Sequence, residues 1–345
     1  MDNRQSILLI YTGGTIGMKE DPRTGVLCPF DFSQVMSEVP ELKNMIYKLD
    51  VYSFTPLIDS SDVSIPFWRT LADLIAENYS KYDGFVVLHG TDTMSYSASA
   101  LSFMLEDLEK PVVFTGSQLP IGKLRTDGKE NLISSIEVAS ARRSDGHPMV
   151  PEVCVFFENV LYRGNRTTKY SAENFRAFKS ANFPPLAEAG IHFRYNASII
   201  RYPESWGHPL WVNREMDNSV AIVRLVPGLN MKTFDAVCHT DGIRAIVLET
   251  YGSGNAPTAE PFLNIVRDAI ARGIVMMNVT QCLTGSVDMD TYANGQSLKT
   301  AGVVSGFDST TEAAVTKLYH LLGQFSDNES VKRYLLKNMR GEISQ

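Results

Sequence analysis

Several stretches of this sequence place hydroxyl, carboxylate or ammonium side chains directly after short apolar runs. The first is Thr12-Gly13-Gly14-Thr15, which follows Ile7-Leu8-Leu9-Ile10-Tyr11. Glycines let a backbone bend sharply and approach a ligand closely. Thr15 then stands just past the carboxyl end of a first strand, where open α/β sheets bind ligands. A threonine hydroxyl so placed is a candidate nucleophile, given a proton acceptor nearby. A Gly-rich phosphate turn or a plain strand-to-loop connection would read the same way. The pattern recurs in His89-Gly90-Thr91-Asp92-Thr93 after Phe85-Val86-Val87-Leu88, and again in Thr115-Gly116-Ser117-Gln118 after Pro111-Val112-Val113-Phe114. Asp59-Ser60-Ser61-Asp62 adds two hydroxyls and two carboxylates after Leu57-Ile58.

Each of these has a structural reading as well. Residues 57–62 suit N-cap chemistry for the helix that follows, and Asp92 suits simple helix capping as well as it suits an ammonium ligand. His89 reads as a packed, hydrogen-bonded residue rather than a catalyst. Asp127 with Glu130 three residues on reads as a capping box. In the basic segment Tyr162 to Lys169, Arg163 and Arg166 read as a solvated patch or as ion pairs. A buried Lys169 near a Thr–Asp pair could instead lower that hydroxyl's effective pKa or take its proton.

The elements that must position these groups are visible in the periodicity. Buried strands are expected at 7–11, 51–54, 85–88, 111–115 and 153–157, the first ones separated by helices. Phe67, Leu71, Leu74, Ile75 and Tyr82 mark one helix face, and Ala98, Leu101 and Leu105 another. Strand–helix units with short loops imply a doubly wound, mostly parallel α/β sheet. Residues 18–33 are aperiodic and read as a flexible loop beside Thr15, with 33–45 weakly helical. Residues 196–219 are polar and Pro-containing and read as a linker between an N-terminal catalytic α/β domain (1–195) and a smaller C-terminal α/β domain (220–345). In the latter, strands are expected at 221–225, 245–250, 274–279 and 303–305, with helices near 259–271 and 311–322.

At 345 residues the chain fits two domains, and its net charge of −7 disfavours a broad nucleic-acid face. No apolar run reaches the length of a membrane helix. The first strand begins too early to leave room for a signal peptide. The four cysteines, Cys28, Cys154, Cys238 and Cys282, are scattered without metal-ligand spacing. That pattern suits free thiols in a reducing compartment and no metal. The expected location is cytoplasmic. Hydroxyl nucleophiles with a lysine and a carboxylate, and without metal or cofactor, suit acyl transfer or amide hydrolysis.

The segments Tyr11-Thr12-Gly13-Gly14-Thr15-Ile16-Gly17-Met18 and Leu88-His89-Gly90-Thr91-Asp92-Thr93-Met94 resemble the two active-site signatures of the L-asparaginases. Asp59 to Asp62, Arg163 to Lys169, Tyr251-Gly252-Ser253-Gly254-Asn255-Ala256-Pro257 and Asn278 to Cys282 resemble further family segments, in family order across nearly the whole chain. The likeness is to the bacterial-type cytoplasmic (type I) branch. It implies hydrolysis of L-asparagine to L-aspartate and ammonia by a homo-oligomer, a dimer or dimer of dimers, with no cofactor. Thr15 matches the acyl-enzyme nucleophile, and Thr91, Asp92 and Lys169 match the second catalytic group. The implied substrate-binding set is Asp59, Ser60, Ser61, Thr91, Asp92, Ser117 and Asn255. Of these, Ser60 and Ser61 match the α-carboxylate grip and Asp92 the α-ammonium ligand. Asn255 matches a residue that reaches a neighbouring subunit's site.

Two departures from the family pattern stand out. Many members carry a tyrosine in the loop after the first signature. This chain has none between Ile16 and Ile46, and Val26 and Leu27 fill the matching region. Tyr292 is the candidate to supply that hydroxyl from a neighbouring subunit. Ser61 stands where many relatives carry glutamine. The same fold and threonines also occur in a tRNA-dependent amidotransferase subunit, and a non-catalytic amino-acid sensor could use the same pocket. Such amidotransferase subunits carry an extra domain ahead of the first strand.

Overall fold

The computed structural model describes residues 4–20, 23–25, 27–29, 39–291 and 293–344. The chain divides into two compact units, one of residues 1–180 and 184–213, the other of residues 181–183 and 214–345.

The first unit is built on one eight-stranded sheet. Its strands are β1 (Ser6–Tyr11), β2 (Lys48–Ser53), β3 (Gly84–Leu88), β4 (Val112–Thr115), β5 (Val153–Phe157), β6 (Val160–Arg163), β7 (Ala187–Ala189) and β8 (Phe193–Tyr195). The order across the sheet is β8-β7-β6-β5-β4-β3-β1-β2. From β2 to β5 every pairing is parallel, and β6 to β8 continue antiparallel. The inner parallel strands β1, β3, β4 and β5 read as largely apolar runs because both faces are covered, whereas the edge strand β2 is mixed and partly exposed. Ile7, Leu9, Ile10, Val86, Val87, Val113 and Phe114 are wholly buried. The parallel order 2-1-3-4-5 reverses direction between β1 and β3. In such sheets the crevice at that reversal, beyond the carboxyl ends of the strands, receives the ligand.

The covering helices are α1 (Ile65–Asn78), α2 (Met94–Met104) and α3 (Gly128–Ser140). In α1 the buried residues Phe67, Trp68, Leu71, Ala72, Leu74 and Ile75 repeat at helical spacing, and a proline in the first turn starts the helix. Tyr82 lies beyond its end. Helix α2 is buried on every side except Tyr96, which its Ser/Ala-rich sequence permits by letting neighbours approach closely.

The second unit has four parallel strands, β9 (Val220–Arg224), β10 (Ala245–Thr250), β11 (Val275–Thr280) and β12 (Val304–Ser305), in sequence order. Alternate strand residues face opposite layers. Ile246, Leu248 and Met276 pack against Phe234 of α4 (Met231–Cys238), Phe262, Leu263 and Val266 of α5 (Glu260–Ala271) and Leu298 of α6 (Ala293–Ala301). Ala245, Val247, Val275 and Met277 pack against Val315, Leu318 and Leu322 of α7 (Thr311–Gln324) and Val331 and Leu335 of α8 (Asn328–Leu335). Among the described residues, no helix is long and apolar enough to cross a membrane.

Several expectations need revision. Part of the segment read as a loop, 18–33, forms a short antiparallel ladder of Met18–Glu20 with Leu27–Pro29. Within 33–45, the described end is a 3-10 turn, Pro40–Asn44. The stretch 196–213 packs on the first unit: Ile200 and Val212 are buried, and Trp211–Val212 pair with Leu105–Glu106. Of the two readings of Arg163 and Arg166, a solvated patch or ion pairs, the patch fails because they are 4% and 2% exposed, and the ion pair holds for Arg163. Arg163 makes a two-pronged ion pair with Glu152 at 2.6 and 3.0 Å and donates to the Ile199 carbonyl at 2.7 Å. Glu152 in turn accepts the Arg201 amide. A buried guanidinium needs such partners, and the paired glutamate lies too far away in sequence to signal it.

Candidate active site

The loops after β1 and β3 are locked together by main chain. Thr12 donates from both its amide and its hydroxyl to the Leu88 carbonyl, each at 3.0 Å. Gly14 has φ +89°, and a Cβ there would stand 2.6 Å from Cα and N of Gly90. A Cβ on Gly90 would stand 2.5 Å from Ser60 Oγ. The glycines are therefore required by close approach, and three loops meet at their backbones. Thr15 opens the single 3-10 turn Thr15–Gly17, half-buried on the edge of this junction. Under that turn, Tyr11 is 1% exposed, and burial pushes its phenol up to about 12. It stays neutral at ordinary pH and is no base for Thr15.

In the second loop, Thr91 and Asp92 share one partner and Thr93 has another. Lys169 Nζ donates to Thr91 Oγ1 at 2.8 Å and to Asp92 Oδ1 at 2.6 Å. Thr91 Oγ1 donates to Gln118 Oε1 at 3.2 Å. Thr93 Oγ1 donates to the Ser60 carbonyl at 2.6 Å. Asp92 does not cap α2. The N-cap position is Thr93, without a side-chain cap bond, and the Asp92 side chain is 69% exposed. Lys169 arrives on the two-residue strand Thr168–Lys169, paired with Phe178–Lys179, and its side chain is 17% exposed.

His89 is packed, as its position suggests. Trp68 Nε1 donates to Ser97 Oγ, Ser97 Oγ lies 2.9 Å from His89 Nε2, and His89 Nδ1 lies 2.7 Å from the Gly90 carbonyl. A carbonyl only accepts, so the proton sits on Nδ1 and Ser97 donates to Nε2. Burial pulls the ring down to about 4, so it remains neutral.

Asp59 caps its own turn, accepting from the Ser61 amide and hydroxyl at 2.8 and 2.7 Å. The Ser61 amide bond, then the hydroxyl bond, hold the Asp59 carboxyl below its usual range. Ser60 is buried and Ser61 exposed. Ser117 is 2% exposed and gives its hydroxyl to the Leu119 carbonyl at 2.6 Å. Asp127 does not form the expected capping box. It turns its carboxylate back to the amides of Gln118 (2.9 and 3.1 Å) and Leu119 (3.1 Å) and to Asn131 Nδ2. Two amides of a bent loop outcompete the helix end for it, and burial pushes its carboxyl up.

The structure thus brings Thr91, Asp92 and Lys169 into contact and sets the Thr15 and Ser60 turns against the Gly90 backbone. Asn255 lies in the second unit, in the Tyr251–Asn255 turn, its Oδ1 buried and without a hydrogen-bond partner among the described residues. Tyr292 and Val26 lie outside the described residues. Gln118 and Thr93 are participants that sequence reasoning did not single out, and Asp127 was read only as a capping residue. Only the repetition of polar residues after β4 hinted at the first.

Comparison with known proteins matches residues 6–201 to the family described as Asparaginase, N-terminal, and residues 219–335 to the Glutaminase/Asparaginase C-terminal domain. The chain is 42% identical over 342 residues to L-asparaginase 1 of Escherichia coli (strain K12), covering 99% of this chain and 98% of that one. It is 41% identical to the 60 kDa lysophospholipase of Mus musculus, covering 100% of this chain and 63% of the longer relative. The crystal structure of L-asparaginase I from Vibrio cholerae superposes with a TM-score of 0.90 at 40% identity, covering 99% and 100% of the two chains.

Proposed function

The chain belongs to the asparaginase family, and from that premise we propose that it hydrolyses L-asparagine to L-aspartate and ammonia through a threonine acyl-enzyme. The close likeness to L-asparaginases over the full chain does not favour the amidotransferase or sensor alternatives. The observation that carries the mechanism is the Lys169 ammonium group bonded at once to Thr91 and Asp92, beside the Thr15 turn at the sheet's point of reversal.

In this reading Thr15 Oγ1 attacks the side-chain amide carbon. The hydroxyl proton passes to the amide nitrogen, and the tetrahedral adduct expels ammonia and leaves a β-aspartyl ester on Thr15. Water then cleaves the ester and returns the proton to Thr15. Thr91, held by Lys169, positions that water, and main-chain N–H groups of the abutting loops are suited to the oxyanion. The Asp92 carboxylate, 69% exposed with one oxygen on Lys169, can still meet the substrate's α-ammonium group. The 59–61 turn supplies donors for the α-carboxylate, with Ser117 bracing the floor of the site. Asn255 serves the site of a second copy, so the working form is a homo-oligomer, and Tyr292 is the candidate hydroxyl delivered with it. Cys154, Cys238 and Cys282 are free thiols, in keeping with a cytoplasmic location.

Ammonia release from L-asparagine, L-glutamine and D-asparagine by wild type and Thr15→Ala tests the proposal. Preference for L-asparagine is expected. Thr15→Ala should lose on the order of 10³-fold or more in kcat/KM, the scale of a missing nucleophile. No ammonia from wild type on any of the three would overturn it.

A further inference from the structure

Asn278 opens a segment, Asn278 to Cys282, that the sequence singles out and to which the proposed reaction gives no role. It lies near the end of β11, paired on both sides, opposite Leu248 of β10 and Ser305 of β12. Its side chain is 0% exposed. A buried amide must commit its hydrogen bonds to definite partners, and these are Thr250 and Gly254. Thr250 Oγ1 donates to Asn278 Oδ1 at 2.7 Å, and Asn278 Nδ2 donates to the Gly254 carbonyl at 3.0 Å. That carbonyl only accepts, so the amide has one orientation: turned over, it would set oxygen against oxygen.

Gly254 belongs to the turn that carries Asn255. Tyr251 and Asn255 bridge across the turn, and Gly252 and Gly254 stand at φ +49° and +104°. Glycines so placed leave a turn free to reorient its peptide planes unless its carbonyls are held. Here each carbonyl is held from a different place. That of Gly252 accepts Thr280 Oγ1, that of Ser253 accepts the Asp288 amide at 2.8 Å, and that of Gly254 accepts Asn278.

The last of these governs Asn255 directly. The peptide joining Gly254 to Asn255 has its C=O on Asn278 Nδ2 and its N–H on the Tyr251 carbonyl at 2.8 Å. The following peptide is held too, the Asn255 carbonyl accepting the Tyr251 amide at 2.9 Å. With both planes fixed, the Cα–Cβ bond of Asn255 has one direction. The fit is close: a Cβ on Gly254 would stand 2.8 Å from Val287 Cγ1 and 3.1 Å from Asn278 Nδ2. At the end of this braced turn, Asn255 Oδ1 is buried without a hydrogen-bond partner among the described residues. An acceptor left so is costly within one chain, and it suits a donor brought by another molecule.

We infer that Asn278, braced by Thr250, is a positioning residue of the hydrolytic reaction. It fixes the Gly254–Asn255 peptide so that Asn255 meets substrate in one orientation. Being wholly buried, Asn278 has no surface to offer a substrate, and its effect passes through Asn255. This inference rests on the reading of Asn255 as a substrate-binding residue.

A double-mutant cycle tests it by steady-state ammonia release from L-asparagine. Wild type, Asn255→Ala, Asn278→Leu and the two changes combined are compared, each well below its own thermal midpoint. Asn278→Leu keeps the volume and removes both amide bonds. Asn255→Ala and Asn278→Leu are each expected to raise KM at least about fivefold, with kcat within about threefold. The combined variant should match Asn255→Ala in both constants within about twofold, because the clamp then has nothing left to aim.

Wild-type KM in Asn278→Leu, with KM raised in Asn255→Ala, would overturn the inference and leave the function standing. So would a further loss in the combined variant, since Asn278 would then act on the fold at large. Wild-type kinetics in Asn255→Ala would remove the reading of Asn255 and the inference with it. If Asn278→Leu fails to fold, Asn278→Ser, too short to reach the Gly254 carbonyl, enters the same cycle with the same outcomes.

Discussion

Lys169 Nζ lies 2.8 Å from Thr91 Oγ1 and 2.6 Å from Asp92 Oδ1, one ammonium group bonded to two successive residues of another loop. The Asp92 side chain is 69% exposed, and ion pairs so open to water add little to stability. Lys169→Met is therefore expected to cut kcat by about 10²–10⁴-fold, the usual worth of a positioned proton-handling group. Its thermal midpoint should stay within a few degrees of wild type. Calorimetry beside kinetics separates the two effects, and a large fall in midpoint would make Lys169 a folding residue instead.

Thr93 ties the Ser60 carbonyl to the start of α2 at 2.6 Å. Thr93→Val keeps the branched shape and removes that bond, so the 59–61 turn loosens while the Thr91–Lys169 contact is left alone. The expected result is a rise in KM for L-asparagine of roughly fivefold, equivalent to about 1 kcal/mol, with kcat nearly unchanged. An unchanged KM with depressed kcat would place the turn outside the carboxylate grip.

Gly14 combines φ +89° with a Cβ position 2.6 Å from the Gly90 backbone. Gly14→Ala meets both strain and overpacking. A loss of about 2–6 kcal/mol in unfolding free energy is expected, together with loss of activity. Denaturant titration checks the first and ammonia release the second.

Much of the first unit was legible because parallel strands buried on both faces write themselves as Val/Ile/Leu runs, and the polar residues after them stand out. Thr15, Thr91 and Asp92 could be picked out for that reason and Lys169 from its basic segment, and the last three do meet. What could not be read was the set of side chains whose role depends on distant partners. Nothing in the neighbours of Arg163 announces Glu152, Ile199 and Arg201. Asp127 carries a capping-box spacing, yet its carboxylate is taken by loop amides that periodicity cannot place. The ladder of Met18–Glu20 with Leu27–Pro29 was hidden because such short strands carry no alternation long enough to see.

Two histidines make the fold acid-sensitive. Burial lowers His89 and His320 from 6.5 to about 4. Each stays neutral when folded while the unfolded chain takes up a proton. Stability is therefore complete above about pH 6.5 and drains away as pH falls toward about 4, at most by about 3 kcal/mol per ring. Midpoints measured between pH 7 and pH 4 should fall accordingly. His320→Gln should flatten the slope, and an unchanged slope would assign the acid sensitivity to other groups.

Lys317 and Glu342 form an ion pair at 1% and 0% exposure, fastening the chain end to α7. Lys317 also donates to the Leu335 and Lys337 carbonyls, and Glu342 accepts the Met339 and Arg340 amides. Glu342→Gln leaves a buried ammonium without its counter-charge, at an expected cost of about 3–5 kcal/mol. The combined Lys317→Met and Glu342→Gln change should recover part of that loss in the same denaturant titration.

The proposed nucleophile and its proposed helper group hang from backbones of very different tenacity. Thr15 follows β1, which is hydrogen-bonded on one side to β2 and on the other to β3. Lys169 rides on a ladder of two residue pairs. Amide protons of Ile7 to Ile10 should exchange with solvent only on global opening, whereas those of the 168–179 hairpin should exchange through small local openings. On the proposed roles, a fixed attacking group is paired with an adjustable helper, so substitutions that stiffen the hairpin act on the part of the machinery with freedom left to lose.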